Sequence, residues 1–450
     1  MELIKSPEYY HAWEHYAAEL FTEYNQCLDE GLDVEPYKPL FDAAINLPAG
    51  EFKEEIAEAI SKLVLSLPTK EGYKYNEPSD LYGIRALRNL DLCKETTAKI
   101  PLDKKVAGAW YGRISGCLLG KPIEGAWTRT IHAVLKDSNN FPLYRYLKRT
   151  DLGDKVPDNA RWLKNSRNYV DEIECAPADD DTNYTVMAQL MIERYGIDFT
   201  PTNVIETWAD MQPKNAYCTA ERVAYVNYLK HFLPPYTAYN QNPYREWIGA
   251  QIRGDYYGYV AKTPELAAEL AWRDASISHI KNGIYGEMFI SSMLAKAKTS
   301  EDILDVIYAG LAEIPSTSRL YEEAMEIIDN YKNGQTKEEA FDLIHKRYNN
   351  EISHHWCHTI SNALIVVSSL LYGEGKFGKS ICMAVETGFD TDCNGATVGS
   401  IIGMMYGVDN IEPEWIEPLN GVLKTQILGH DRSTIDELIK KTLEHIEKYK

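Results

Sequence analysis

GFDTDCNGATVGSIIGMMYG, residues 388–407, is the stretch on which the fold reading turns. It opens with two carboxylates one residue apart, Asp390 and Asp392, and continues as a run with helical character. Gly395, Gly399, Gly403 and Gly407 recur every four residues, so they stack on one face of that helix. Each glycine costs a helix roughly 0.8–1 kcal/mol relative to alanine, and four cost on the order of 3–4 kcal/mol. Close approach of another backbone would require such a bare face. It would also hold the acidic N-terminal end rigidly, as carboxylates at a helix mouth binding a cation.

The same device occurs earlier. In DKKVAGAWYGRISGCLLGKPIEGA (103–126), Gly108, Gly112, Gly116 and Gly120 again recur every four residues, and Gly120 with Pro122 ends the helix. Glu124 follows directly, where a loop can deliver it to a cavity. Between the two stripes, Asp179, Asp180 and Asp181 precede the helical pattern of Val186, Met187, Leu190 and Met191. Acids are favoured at a helix start, but one suffices for a cap, and three crowded together repel unless a cation is present.

Few segments alternate with strand period, and the chain reads as all-α. Residues 1–100 form a separate helical region. Its features are a start at Ser6-Pro7-Glu8, an aromatic helical run YYHAWEHYAAELFTEY and a second helix from Glu51 to Leu67. PTKEGYKYNEPSD (68–80) has the composition of a linker. His11 and His15 lie four apart, a spacing that could share a metal but suits packed or surface histidines better. The tyrosine-rich middle either packs the core or lines a pocket for a flat or sugar-like ligand. PELAAELAWRDASISHIKNGIYGEMF (264–289) reads as two helices joined by a loop around Ser278–Gly283. His279, Asn282 and Gly283 there are candidate substrate-binding residues, with Asn394 one turn into the opening stretch. Ser300 and Ser316 read as helix caps. His354, His355, Cys357 and His358 invite a zinc reading but match no common spacing. A helix starting near His358, with Asn362 one turn on, fits them better. The last helix is capped by Ser433 or Thr434 with Asp436 or Glu437.

The 450 residues can bury a large core. Hydrophobic residues at 44% and charged residues at 25% are ordinary globular proportions. A net charge of −20 argues against nucleic acid as a general partner. No apolar run reaches the roughly 20 residues of a membrane helix, and the N-terminus lacks the pattern of a signal peptide. The eight cysteines show no paired spacing and read as reduced thiols of a cytoplasmic protein.

Three stretches together carry a resemblance: GRISGCLLGKPIE (112–124), DDDT (179–182) and GFDTDCNGATVGSIIGMMYG (388–407). In order and spacing the chain from about 103 to 450 resembles the ADP-ribosylglycohydrolases, the family that includes the dinitrogenase reductase-activating glycohydrolases. The resemblance implies an orthogonal all-α bundle with two Mg²⁺ or Mn²⁺ ions. It implies Asp179, Asp180, Asp181, Asp390, Asp392 and Cys393 at the metals, and Glu124 and Asp392 in catalysis. The implied reaction is hydrolysis of an N- or O-glycosidic bond to ribose, in an ADP-ribosylated protein or a small ADP-ribosyl or nucleoside-like compound. The alternative is a non-catalytic ADP-ribose or nucleoside binder that keeps the metal site. Three positions depart from the family pattern. Asp179 stands where threonine is usual, Cys393 where threonine or serine is usual, and Cys117 where an aspartate is common. A thiol is a poor ligand for a hard cation, so one metal is weaker, differently coordinated or absent.

Overall fold

The computed structural model describes residues 12–92, 96–152, 163–164 and 168–450. The helix start expected at Ser6-Pro7-Glu8, together with His11 and Cys93, lies outside the described residues. The fold is all-α. Its described residues form twenty-two α-helices and one two-stranded antiparallel sheet, Val422–Lys424 against Arg432–Thr434. None of these helices is long and apolar enough to cross a membrane.

The centre of the fold is the pair of glycine helices, Leu102–Gly120 and Thr391–Tyr406. Each is the other's partner, a match the sequence did not reveal. A Cβ placed on Gly108, Gly112 or Gly116 would strike the carbonyl oxygen of Gly403, Gly399 or Gly395, and the reverse substitutions would strike the first helix. The pairing runs in opposite numerical order, so the helices are antiparallel. Gly120, at the end of the first helix, therefore lies against Thr391 and the amide of Asp392. The Thr391 hydroxyl ties the register by donating to the Gly120 carbonyl at 2.9 Å. Gly407 falls outside the stripe. It is the C-cap, at φ 76°, and is a glycine for that backbone conformation.

The N-terminal region has a small core of its own, in which Tyr16, Leu20, Phe41, Ala57, Ile60 and Val64 pack together. Its first described α-helix is Leu20–Asp29, shorter than the aromatic run suggested, because Trp13 has a positive φ and His15 is not helical. The second expected helix spans Glu51–Val64. His15 is paired with Glu54 at 2.6 Å.

The region meets the main body through charge. Glu23 of the first helix and Glu30 at its C-cap pair with Arg245 at 2.8 and 2.6 Å, and Lys281 reaches Glu30 at 2.8 Å. Residues 68–80, expected to be a linker, are a strap laid on the body. Glu77 is buried in an ion pair with Arg319 at 2.9 Å, and the Ser79 carbonyl accepts from the Trp272 indole at 2.9 Å. One of the charges that gave the segment its linker composition, Glu77, is matched by a buried arginine, whereas Lys70 and Lys74 pair at the surface.

Smaller corrections follow the same logic. The helix expected after Gly283 begins at Lys281, so Asn282 and Gly283 lie in its first turn rather than in a loop. The caps expected at Ser300 and Ser316 are Asp302 and Ser318, whose side chains accept from Asp305 and Tyr321 amides. Thr434 and Glu437 form the capping box of the last helix, Ile435–Lys448, as expected.

The glycine contact generates a test. Gly112→Ala or Gly399→Ala gains up to about 1 kcal/mol in helix propensity but drives a methyl into opposing backbone, where overpacking costs about 1–3 kcal/mol or more. Each variant is expected to unfold at a lower temperature than the parent, measured by circular dichroism. An unchanged or raised midpoint would show that the interface has slack.

Candidate functional site

The antiparallel register carries the end of one glycine helix to the mouth of the other. A short turn, Lys121–Ile123, leads from Gly120 to Glu124. Asp390 is the N-cap of the second glycine helix, and Asp392 lies in its first turn. Asp179 caps a third helix, Asp180–Tyr195, and accepts from the Asp181 amide at 3.0 Å. Carboxylates at three helix ends thus converge, two of them at positive dipole ends. Ligand atoms of Glu124, Asp390 and Asp392 lie within 4.8 Å of one another, as do those of Asp181, Asp392 and Cys393, and those of Cys117, Asp179 and Asp181. Asp181 and Asp392 are shared, which makes the groups one continuous cluster.

Two cations are built into this cluster, and sequence reasoning missed both. Arg113, fully buried, spans Asp181 at 2.9 Å and Asp255 at 3.1 Å. Lys121 lies among Asp179 at 2.6 Å, Glu124 at 2.6 Å and Asp392 at 3.2 Å. Burial opposes the Lys121 charge, but Asp179, Asp392 and Glu124 outweigh it and hold the ammonium well above its usual range. Asp179 is lowered in return, against burial, by Lys121. The available signal was the presence of two cations inside an otherwise apolar, glycine-striped motif. Asn362 was also given no role by the sequence. Its side-chain oxygen accepts from the Asp390 amide at 3.2 Å and from Asn394 at 2.7 Å, which aims both residues.

Among the described residues, five cluster oxygens have no hydrogen-bond partner from the protein. Asp179 Oδ2 is ion-paired with Lys121 at 2.6 Å, and four, Asp181 Oδ2, Asp390 Oδ1, Asp392 Oδ1 and Asn394 Oδ1, have no ion pair either. All four residues are buried, Asp181 and Asn394 at 0% exposure. Buried acceptors without donors are costly, and oxygen-rich sets of this kind suit a hard divalent cation. The residues present therefore fit such an ion. Burial and the neighbouring carboxylates hold Asp181 and Asp390 well above the usual carboxylate range. Glu124, at the rim, is pushed up to about 8 by desolvation and by Asp392. Asp180 is pushed up to about 7 by desolvation and by Asp179. Burial, then Asp181, Asp390 and Asp392, raise the Cys393 thiol, which leaves it a neutral and weak ligand for a hard ion.

The other candidates fall elsewhere. Asn282 donates to Glu77 at 2.8 Å and Glu246 at 2.9 Å and accepts from the Leu320 amide at 3.1 Å, so its amide is committed to the buried network under the strap. Gly283 packs on His279, whose Nδ1 lies 2.8 Å from Ser278 Oγ. No described hydrogen bond or ion pair joins these three residues to the acid cluster. Asn394 is within it.

The histidine group meets the N-terminal region instead. His354 and His358 face Asp29 at 2.8 and 3.8 Å. Their Nδ1 atoms accept from the Trp247 indole at 3.2 Å and the Ile360 amide at 3.1 Å. Each neutral ring must then carry its proton on Nε2, the atom that faces Asp29. A zinc ion would need a lone pair there; His354 instead hydrogen-bonds Asp29 at 2.8 Å, while His358 Nε2, 3.8 Å from it, has no hydrogen-bond partner among the described residues.

A helical bundle that collects carboxylates at helix mouths, braced on two antiparallel glycine helices, defines the class of protein. The ADP-ribosylglycohydrolase family model matches residues 98–450, and the chain belongs to that family. No curated protein matches the chain. A solved structure described as an ADP-ribosylglycohydrolase-related protein complex is similar over 77% of this chain and 99% of its own, with a TM-score of 0.45 and 16% identity.

Protons and a cation compete for the raised carboxyls. A carboxyl near 8 is largely protonated at neutral pH, so Mn²⁺ affinity is expected to climb as pH rises towards 8, with net proton release on binding. Calorimetry in buffers of different ionisation enthalpy reads that release, and Glu124→Gln is expected to reduce it. A parent with pH-independent affinity and no release would contradict the assignment.

Proposed function

We propose that this chain is a divalent-metal-dependent glycohydrolase that cleaves an N- or O-glycosidic bond at the anomeric carbon of ribose. Its substrate class is an ADP-ribosylated protein or a small ADP-ribosyl or nucleoside-like compound. Membership of the ADP-ribosylglycohydrolase family supports hydrolysis in general. The observation that carries the metal-dependent reading is the set of four buried, unpartnered oxygens on Asp181, Asp390, Asp392 and Asn394, beside the partly exposed Glu124.

Asp181, Asp390 and Asp392 would hold the ion, each kept in place by other parts of the chain. Arg113 anchors the far oxygen of Asp181 at 2.9 Å, Lys121 anchors that of Asp392 at 3.2 Å, and Asn362 fixes the backbone of Asp390 at 3.2 Å. A divalent cation bound there supplies an electrophile for vicinal ribose hydroxyls and lowers the pKa of a water. Glu124 is placed to receive that water's proton, because its side chain is 38% exposed while Asp179 and Asp392 are 1% exposed. Lys121, at 2.6 Å, keeps the Glu124 carboxylate aimed across the cluster mouth. The water oxygen bonds to the anomeric carbon as the bond to the leaving nitrogen or oxygen breaks. The leaving group keeps the electron pair and takes up a proton. Burial of the remaining carboxylates keeps bulk water from competing for these positions.

The test is turnover of a panel of ADP-ribosylated peptides and ADP-ribosyl and nucleoside substrates with Mg²⁺ or Mn²⁺, for the parent beside Asp392→Asn and Glu124→Gln. Turnover is expected in the parent, with losses of about 10²-fold or more in each variant. ADP-ribose binding with no turnover by the parent would replace this reading with that of a binding protein.

A further inference from the structure

We infer that Lys121 is a built-in second cation of the acid cluster, so that the site takes one divalent ion rather than two. The inference rests on the metal-dependent reading above and concerns how the oxygens of the cluster are divided.

Asp179 has both carboxylate oxygens in use. Its Oδ1 accepts from the Asp181 amide at 3.0 Å, and its Oδ2 is 2.6 Å from the Lys121 ammonium. Asp392 is split, with Oδ2 on Lys121 at 3.2 Å and Oδ1 without a protein partner. Asp181 is split in the same sense, with Oδ1 on Arg113 at 2.9 Å and Oδ2 without a partner. Asp179 Oδ2 lacks a hydrogen bond but is ion-paired with Lys121, so the oxygens with neither kind of partner make one set, drawn from Asp181, Asp390, Asp392 and Asn394. The Asp179 side of the cluster is taken by an ammonium. An ion placed there as well would have to displace Lys121 from Asp179, or meet it at close range with twice the repulsion of a unit charge.

The position of Lys121 is not accidental to a long side chain. Its backbone belongs to the turn that follows Gly120, fixed by Pro122 and by the contact of Gly120 with Thr391. The ammonium lies within 2.6–3.2 Å of three carboxylates that come from two other helix mouths and its own turn. A lysine on a free surface would pair with one.

Counting ions tests this directly. The full chain, stripped with chelator, is titrated with Mn²⁺ while free Mn²⁺ is followed by electron paramagnetic resonance. One Mn²⁺ per chain is expected for the parent and for Lys121→Arg. Two are expected for Lys121→Met, which keeps length but frees oxygens of Asp179, Asp392 and Glu124. Two ions in the parent would overturn the inference, as would a folded Lys121→Met that still binds one with unchanged affinity. The parent count stands even if Lys121→Met fails to fold. Two ions with turnover retained would sink this inference alone, whereas a parent that binds no Mn²⁺ and turns over regardless would sink the metal-dependent reading with it.

Discussion

The contact of bare backbone on bare backbone between residues 108–120 and 391–403 is the constraint on which the remaining structure depends. Side-chain packing tolerates adjustment of rotamers, but two peptide surfaces in direct contact have nothing to adjust. The four-residue spacing of both stripes permits few registers. The one adopted sets Gly116 against Gly395 and Gly120 against Thr391. That choice alone places the turn carrying Lys121 and Glu124 at the mouth carrying Asp390 and Asp392. The helix propensity lost at the glycines is returned as positional accuracy at a charged site, where accuracy matters most.

Charge is managed at two places by the same means. In the acid cluster, Arg113 and Lys121 each hold one oxygen of a carboxylate and leave the other facing inward. Under the N-terminal region, Arg319 reaches both Glu77 and Glu246, at 2.9 and 2.7 Å, and Asn282 joins the same two acids. The difference lies in what remains. In the second, both oxygens of Glu77 and of Glu246 accept from arginine or amide donors, whereas the first keeps a set of carboxylate oxygens that the protein does not satisfy. Chemistry is expected where the polar accounting stays open.

Much of this was legible in the chain. The period of the glycines, the absence of strand alternation and the acids ahead of apolar helical runs led to an all-α fold and to two acidic clusters, Asp179–Asp181 and Asp390 with Asp392, which the structure brings together. Periodicity reports which face a helix buries but not what lies against it, so the mutual pairing of the stripes had to be seen. Lys121 and Arg113 were hidden for a related reason. A cation in a helical motif reads as surface charge until its partners, 68 and 271 positions away for Arg113–Asp181 and Lys121–Asp392, are brought to it. The strap misled because composition describes local flexibility, and Glu77 is held by an arginine 242 positions on. Asn282 was placed by its neighbourhood in sequence, and its amide answers to Glu77 and Glu246 instead.

The acidic face of Leu20–Asp29 has a consequence for how this protein can be divided. Arg245 has Glu23 and Glu30 as its ion-pair partners and is itself buried. His354, one turn before the segment that leads to Asn362, leans on Asp29. A chain trimmed to the 98–450 span of the family would lose both carboxylates that pair with Arg245 and the Asp29 that faces His354, and would open this face to water. The first hundred residues thus act as a counter-charge to the body, and the family boundary at residue 98 cuts through a set of ion pairs rather than between two self-sufficient halves.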